Sequence, residues 1–142
     1  MDYTIVRINA NNLHKNIEEI QELFWEYLEW ANGRLNKEYS INLDIKSILE
    51  QDMEKLEVFL YSYSRLLLAK EDDFPVGIVC IRKILADVGE IKRMYVRPKF
   101  RGQGIGKSLL DSAIVESRDI GYSKIRLDST KFMNTAHALY KS

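Results

Sequence analysis

The chain has 142 residues, about the length of one ordinary domain, and its 46% hydrophobic and 30% charged content is typical of a folded globular protein. Lysine plus arginine and aspartate plus glutamate both total 21, so the formal net charge is zero. A neutral chain has no whole-protein attraction to nucleic acid or to an acidic membrane, so neither is expected as a partner.

The N-terminus, Met1-Asp2-Tyr3-Thr4, has no basic leader followed by an apolar segment. No apolar stretch approaches the roughly 20 residues that a membrane span needs. The expected location is therefore the cytoplasm. The single cysteine, Cys80, lies in an apolar run over residues 76–81 and is interpreted as a core residue rather than a catalytic thiol.

The first half of the chain is predicted to contain a short strand followed by two helices. Residues 3–8 alternate weakly and predict a strand. Apolar residues spaced three or four apart over 13–31 predict an amphipathic helix that ends near Gly33. The same spacing over 45–56 predicts a second helix, with Asn42 or Asp44 available as its N-cap.

The second half is predicted to be mostly strands. No repeat, low-complexity tract or Pro/Gly/Ser-rich linker interrupts the chain, so residues 1–142 are expected to form one mixed α/β domain. The first predicted elements are a hairpin with arms at 66–69 and 74–85 around a turn at 70–73, and a strand at 90–96. They are followed by a helix that begins at 105 and is closed by Gly121. The last two are a strand at 122–128, with Ile125 and Leu127 facing inward, and a helix from about Phe132.

The most informative segment joins the strand at 90–96 to the helix that follows. Gly102, Gly104 and Gly106 are spaced two apart directly before that helix, where backbone N–H groups favour an anion such as pyrophosphate. A glycine-rich turn without a ligand is the alternative. Six basic residues and no acidic one occur between Ile91 and Ser108, which favours a local phosphate site. The six are Lys92, Arg93, Arg97, Lys99, Arg101 and Lys107.

Spacing distinguishes between kinds of phosphate loop. A Walker A loop would need glycine at position 101, which is Arg101, and a dinucleotide fingerprint would need glycine at 107 or 109, which are Lys107 and Leu109. The pattern Arg/Gln-x-x-Gly-x-Gly/Ala is satisfied by Arg101, Gly104 and Gly106. It resembles the pyrophosphate motif of the GNAT superfamily of N-acetyltransferases.

The resemblance extends beyond this loop. Residues 90–98 resemble the fourth strand of that family and its following turn, residues 75–77 resemble the hairpin before it, and residues 126–140 resemble its fifth strand and last motif. It implies a GNAT-like fold of the mixed α/β (α+β) class, with a central, mostly antiparallel sheet flanked by helices. It also implies acetyl-CoA as co-substrate, an amine as acceptor and no metal.

Family roles carry over to individual residues as implications of the resemblance. The fourth strand carries a bulge that opens a cleft, where the backbone of Met94, Tyr95 and Val96 pairs with the pantetheine arm. The Met94 N–H is the expected donor to the thioester carbonyl. The pyrophosphate is expected to be held by backbone amides of Arg101, Gly102, Gln103, Gly104, Ile105, Gly106 and Lys107.

Two residues are candidates for proton transfer in the reaction. Glu90 corresponds to a carboxylate that acts as base in many relatives, often through water; a solvated charge at the strand end is the alternative. Tyr140 corresponds to the tyrosine that protonates the leaving thiolate, or it is an aromatic residue at the rim of the core. The expected reaction is direct attack by an amine in a ternary complex, and the alternative function is a non-catalytic acyl-CoA-binding module.

The acceptor is not identified by the sequence. Glu22, Glu26 and Glu29 lie on one helical face and could attract a cationic amine, although solvated carboxylates are the commoner explanation.

Two features depart from the family pattern. Met133 stands where many relatives have an asparagine that contacts the cofactor. Family members also continue after the last motif with two more strands, whereas this sequence stops at Ser142. The expected fold therefore lacks those strands, and either the sequence is incomplete, which we favour, or a partner such as the second subunit of a homodimer supplies them.

Overall fold

The computed structural model describes residues 3–127. The main elements are β1 (Thr4–Arg7), α1 (Leu13–Tyr39), α2 (Ile45–Glu54), β2 (Arg65–Glu71), β3 (Phe74–Leu85), β4 (Val88–Val96), α3 (Ile105–Ile120) and β5 (Lys124–Leu127). Short 3₁₀ turns follow α2 at Leu56–Leu60 and β4 at Pro98–Phe100.

The five strands form one sheet in the order β1-β2-β3-β4-β5. Neighbouring strands are antiparallel except β4 and β5, which are parallel and are joined through α3. The predicted mixed α/β fold with a mostly antiparallel sheet is confirmed. The β2–β3 hairpin turns at Asp72 and Asp73, whose φ angles of 49° and 67° are tolerated because aspartate accepts the left-handed region more readily than most residues.

The alternation of side chains along β2 and β3 builds two hydrophobic cores. On one face, residues such as Leu66, Leu68 and Cys80 pack against α1. On the other face, residues such as Leu67 and Val79 pack against α3. The sheet is therefore covered on both sides, with α1 and α2 on one face and α3 on the other.

Cys80 lies in the α1-side core and is fully buried, as the sequence predicts. Burial raises the pKa of its thiol from 9.0 to about 12, although the charges of Arg93 and Lys92 act in the opposite direction. The thiol is therefore protonated at neutral pH, and this excludes it as a thiolate nucleophile.

The first helix is longer than predicted. It continues through Gly33 to Tyr39 and ends where Ser40 adopts a left-handed conformation with φ 56°. Gly33 does not end the helix because a glycine does so only when it takes a left-handed conformation, and the φ of Gly33 is not positive. By contrast, Gly121 has φ 106° and ends α3 as predicted.

The second helix begins as the sequence predicts. The Asp44 carboxylate accepts a hydrogen bond from the Ser47 backbone N–H at 3.2 Å and caps the helix. Asn42, the other candidate cap, instead accepts a hydrogen bond from the Asn32 side chain of α1 at 3.2 Å. Within residues 3–127, no helix is long and apolar enough to cross a membrane.

Candidate functional site

A bulge interrupts β4 at Arg93. Cys80 of β3 pairs with Lys92, but Ile78, two residues earlier on β3, pairs with Tyr95, three residues later on β4. Strand β4 therefore has one extra residue here, and Arg93 takes φ 56°, in the left-handed region. The family resemblance predicts a bulge in this strand, and the structure has one.

The bulge determines which side chains of β4 face the helices α1 and α2. Lys92 and Tyr95 both lie opposite β3 residues of the α1-side core. The Arg93 guanidinium forms an ion pair with Asp52 of α2 at 2.9 Å. Lys92, Arg93 and Tyr95 therefore share the α1–α2 face, whereas Met94 packs with the α3-side core.

Beyond the bulge, β4 presents an edge on the side away from β3. The Arg97 N–H donates to the Val76 carbonyl of β3 at 2.9 Å. Because successive N–H groups of a strand point to opposite sides, the N–H groups of Met94 and Val96 point away from β3. In the part of the chain that the structure describes, β5 pairs with β4 only from Val88 to Ile91, so this edge is not covered by a strand there.

The Arg101 side chain lies across the end of this edge. Its Nε donates to the Val96 carbonyl at 2.8 Å, and its guanidinium lies 5.4 Å from the Tyr95 ring and 5.8 Å from the Trp30 ring. The Arg101 backbone N–H donates to the Pro98 carbonyl at 3.3 Å. Of the predicted amide donors, that of Arg101 therefore already has a partner in the turn.

The glycine loop opens the N-terminus of α3 to the surface. Gly102 and Gly104 have φ 81° and 85°, and a Cβ built on either would meet no atom within 4 Å. Gly104 is the N-cap of α3, and no side chain caps the helix. The first-turn N–H groups, among them those of Gly106 and Lys107, therefore have no intrahelical acceptor and form the positive end of the helix dipole.

The other residues of the loop have different environments. Gly106 does not need a positive φ, and its Cβ would lie in ordinary contact, 3.8 Å from Val96 Cγ2. Ile105 is buried and anchors α3 in the core, whereas Gln103 is exposed. The Lys107 ammonium is exposed and lies 3.3 Å from the Asp111 carboxylate in the next turn.

Two of the six basic residues between Ile91 and Ser108 are paired with carboxylates of α1 and α2. Arg93 is paired with Asp52, and the Arg97 guanidinium lies 3.0 Å from both the Glu22 and Glu26 carboxylates of α1. The bulge and the strand alternation place these two arginines against α1 and α2, where carboxylates meet them. These ion pairs also argue against Glu22 and Glu26 as attractors of a cationic amine.

Glu90 lies in β4, and only 8% of its surface is exposed. Its Oε1 accepts a hydrogen bond from Arg82 Nε at 2.8 Å, across the β3–β4 pair. The alternative of a solvated charge at the strand end is therefore wrong. Ile91, the next residue, packs in the α3-side core, so Glu90 lies on the α1–α2 face with Lys92.

The Tyr95 side chain belongs to the α1 interface. Its ring centroid lies 6.5 Å from that of Tyr27 and 6.2 Å from that of Trp30, and its hydroxyl donates to the Glu26 carboxylate at 3.4 Å. Burial, followed by the Glu26 charge, raises the pKa of Tyr95 above its usual range. This side chain fixes α1 against β4 and faces away from Met94 and Val96.

Tyr140 and Met133 lie outside the described residues.

Trp30 and Asp52 lie at the candidate site, although the sequence analysis did not select them. Their helical spacing places them on α1 and α2, but only the packing of those helices on β4 brings them to Arg101 and Arg93. Among residues 3–127, no group of three or more His, Cys, Asp or Glu side chains is arranged to hold a metal ion.

Comparison with known proteins relates the chain to acetyltransferases. The model of the family described as "Acetyltransferase (GNAT) family" matches residues 17–142. An uncharacterized N-acetyltransferase of Schizosaccharomyces pombe is 26% identical over 139 residues, covering 96% of this chain and 80% of the relative. An IAA acetyltransferase of Azospirillum brasilense is 36% identical over 78 residues, covering 54% of this chain and 51% of the relative.

Solved structures show the same fold. The PaiA N-acetyltransferase of Thermoplasma acidophilum, in complex with coenzyme A, superposes with a TM-score of 0.73 at 21% identity, covering 99% of this chain and 87% of that one. At this level of identity, the similarity establishes the shared architecture.

Proposed function

Since the chain belongs to the GNAT family of acetyltransferases, we propose that it transfers an acetyl group from acetyl-CoA to a primary amine of a small molecule or peptide, by direct attack in a ternary complex. The observation that carries this proposal is the continuity of two features. In the part of the chain that the structure describes, no strand pairs with the outer edge of β4 after its bulge, and this edge leads within a few residues into the uncapped, glycine-rich N-terminus of α3.

These two features fit the two parts of acetyl-CoA. The first-turn amides of α3 and the amides of Gly102 to Gly104 offer donors and a positive dipole to a pyrophosphate. The space above Gly102 and Gly104 is open, so a phosphate can approach the backbone closely. The outward N–H groups of Met94 and Val96 can pair with the amides of a pantetheine arm as an added strand does.

The edge of β4 also positions the reacting carbonyl in this proposal. The Met94 N–H donates to the thioester oxygen and stabilises the negative charge that develops there. The amine nitrogen forms a bond to the carbonyl carbon, the C–S bond breaks, and the amine gives up a proton. Glu90 accepts that proton, directly or through water, and Tyr140 protonates the departing thiolate.

Replacing Glu90 with glutamine should lower turnover about 100-fold at neutral pH if the carboxylate accepts the proton of the amine. The loss should shrink as pH rises, because a larger fraction of the acceptor is then already unprotonated. The measurement is kcat/KM between pH 6 and pH 10. A loss that stays constant over this range would contradict the role of Glu90 as base.

Arg82→Met is the matched control for this substitution. It breaks the same ion pair but leaves the carboxylate in place, and a thermal melt checks the fold because Glu90 is buried. We expect its effect on turnover to be much smaller than that of Glu90→Gln. Equal losses in the two variants would assign the effect to the ion pair and would remove Glu90 from the mechanism.

The activity itself is tested by coenzyme A release. A panel of amines, polyamines, amino acids and peptides is incubated with acetyl-CoA and the protein, and free thiol is measured. At least one amine should give release well above hydrolysis, together with an N-acetylated product by mass spectrometry. Calorimetry should show acetyl-CoA binding well above ATP or NAD, and equal or tighter binding of Mg-ATP would contradict the proposal.

A further inference from the structure

The α1–α2 face of β4 carries a cluster of charges next to the bulge. Three cations stand there: Arg82 on β3, and Lys92 and Arg93 on β4. Two carboxylates stand with them, Glu90 on β4 and Asp52 on α2. We call these five residues the bulge cluster; under the proposed function, they lie beside the reacting carbonyl.

The two ion pairs within the bulge cluster involve both carboxylates but only two of the three cations. The Arg82–Glu90 pair has a separation of 2.8 Å, and the Arg93–Asp52 pair has a separation of 2.9 Å. Within residues 3–127, Lys92 takes part in no ion pair; the two carboxylates nearest in the cluster are both held by arginines. The cluster therefore has a net charge of about +1, located at Lys92.

The surroundings of Lys92 increase the electrostatic free-energy cost of keeping its ammonium charged without a counter-ion. Its side chain is half-buried on the same face as the fully buried Cys80. Burial, followed by the charges of Arg93 and Arg82, lowers the pKa of Lys92 below its usual range. An anion at this position would offset both the desolvation and the repulsion.

We propose that Lys92 binds an oxyanion carried by the acceptor, a carboxylate or a phosphate group, so that the acceptors are amines that also bear such an anion. The proposal rests on the acetyl-transfer function above. Its basis is the pairing of Lys92 with Cys80, which places the Lys92 side chain on the α1–α2 face next to the bulge, with a charge that the cluster does not neutralise.

The position of Lys92 also limits the size of the acceptor. Lys92 precedes Met94 by two residues, with the bulge at Arg93 between them, so their Cα atoms lie at most roughly 7 Å apart. The attacking amine must reach the carbonyl held by the Met94 N–H while the oxyanion contacts the Lys92 ammonium. These two groups of the acceptor are therefore separated by only a few bonds, as in an amino acid or a phosphorylated amino alcohol.

Matched acceptor pairs test the inference. β-Alanine is compared with β-alaninamide for the carboxylate, and O-phosphoethanolamine with ethanolamine for the phosphate, at equal concentrations of unprotonated amine. The anionic member of one pair should have a kcat/KM at least about 10-fold higher, the effect expected of a hydrogen bond to a charged group. The pair that shows the preference identifies which oxyanion is bound.

Substitutions then assign the preference to Lys92. Lys92→Met, which keeps the length of the side chain, should remove the preference mainly by raising KM for the anionic acceptor, and Lys92→Arg should retain part of it. Lys37→Met, on the exposed end of α1, serves as the control and should keep the preference. Equal use of both members of each pair by the unmodified protein, or a preference that persists in Lys92→Met, would overturn the inference.

A binding measurement separates this inference from the proposed function. Lysines are labelled with trace acetic anhydride, and the modification of Lys92 relative to Lys37 is followed by mass spectrometry. Acetate or inorganic phosphate should protect Lys92, whereas propylamine should not. If no amine is acetylated but Lys92 is protected, the proposed function fails and the anion site stands; absence of protection and of any preference refutes the site.

Discussion

Gly104→Val should abolish acetyl-CoA binding while the protein stays folded. Gly104 has φ 85°, and a β-branched residue in the left-handed region costs roughly 1–3 kcal/mol in strain. We expect the loop to relieve that strain by turning its amides away from the α3 axis. The added side chain also projects into the open space where the pyrophosphate is proposed to lie. Losing two or more charge-assisted hydrogen bonds should weaken binding by at least about 100-fold.

Calorimetry with acetyl-CoA measures this loss, and a thermal melt confirms the fold. Gly33→Ala provides the control, since Gly33 lies in the exposed part of α1 without a positive φ and with no atom within 4 Å of the added Cβ. This variant should bind as tightly as the unmodified protein and gain about 0.5–1 kcal/mol in stability. A folded Gly104→Val protein with unchanged affinity would mean that the phosphates bind elsewhere.

Tyr140→Phe should lower turnover by about 10² to 10⁴, the usual contribution of a general acid. The substitution removes one oxygen and keeps the aromatic ring. Affinity for acetyl-CoA should hardly change, because the hydroxyl matters mainly when charge develops on the sulfur in the transition state. The measurements are kcat with the best acceptor and the dissociation constant for acetyl-CoA.

Tyr61→Phe is the control for the loss of a tyrosine hydroxyl. Tyr61 is 50% exposed at the end of the 3₁₀ turn after α2, outside the proposed site. Its substitution should leave both constants unchanged. Turnover at the unmodified rate with phenylalanine at position 140 would show that Tyr140 has no part in proton transfer.

The sequence predicted most elements of the fold because their determinants are local. The hairpin of β2 and β3, the strand β5 and the helix closed by Gly121 follow from apolar periodicity and from residues with restricted or unusual backbone preferences. The predicted end of α1 at Gly33 was wrong because a glycine permits a left-handed conformation but does not require it. Gly33 keeps a φ that is not positive, and the helix ends instead at Ser40.

The conformation of the glycine loop was also accessible from the sequence. Gly102 and Gly104 allow a tight turn before the helix, and a glycine at the N-cap supplies no side chain to cap it. The positive φ of Gly102 and Gly104 agrees with that reasoning, whereas Gly106 has no such requirement. The identity of the site residues around the loop remains a prediction from the family resemblance.

What the sequence could not determine was the partner of each charge. Arg93, Arg97 and Lys92 look alike as a basic run, but the bulge at Arg93 shifts the alternation of β4 by one residue. This shift brings Arg93 to Asp52, while Lys92, which pairs with Cys80 before the bulge, has no ion pair among the described residues. Such pairing depends on the packing of α1 and α2 against the sheet, which joins residues more than forty positions apart. The sequence thus determined most of the elements and the glycine-rich loop. Only the tertiary structure decided which charges are neutralised, because electrostatic pairing depends on distance in space rather than along the chain.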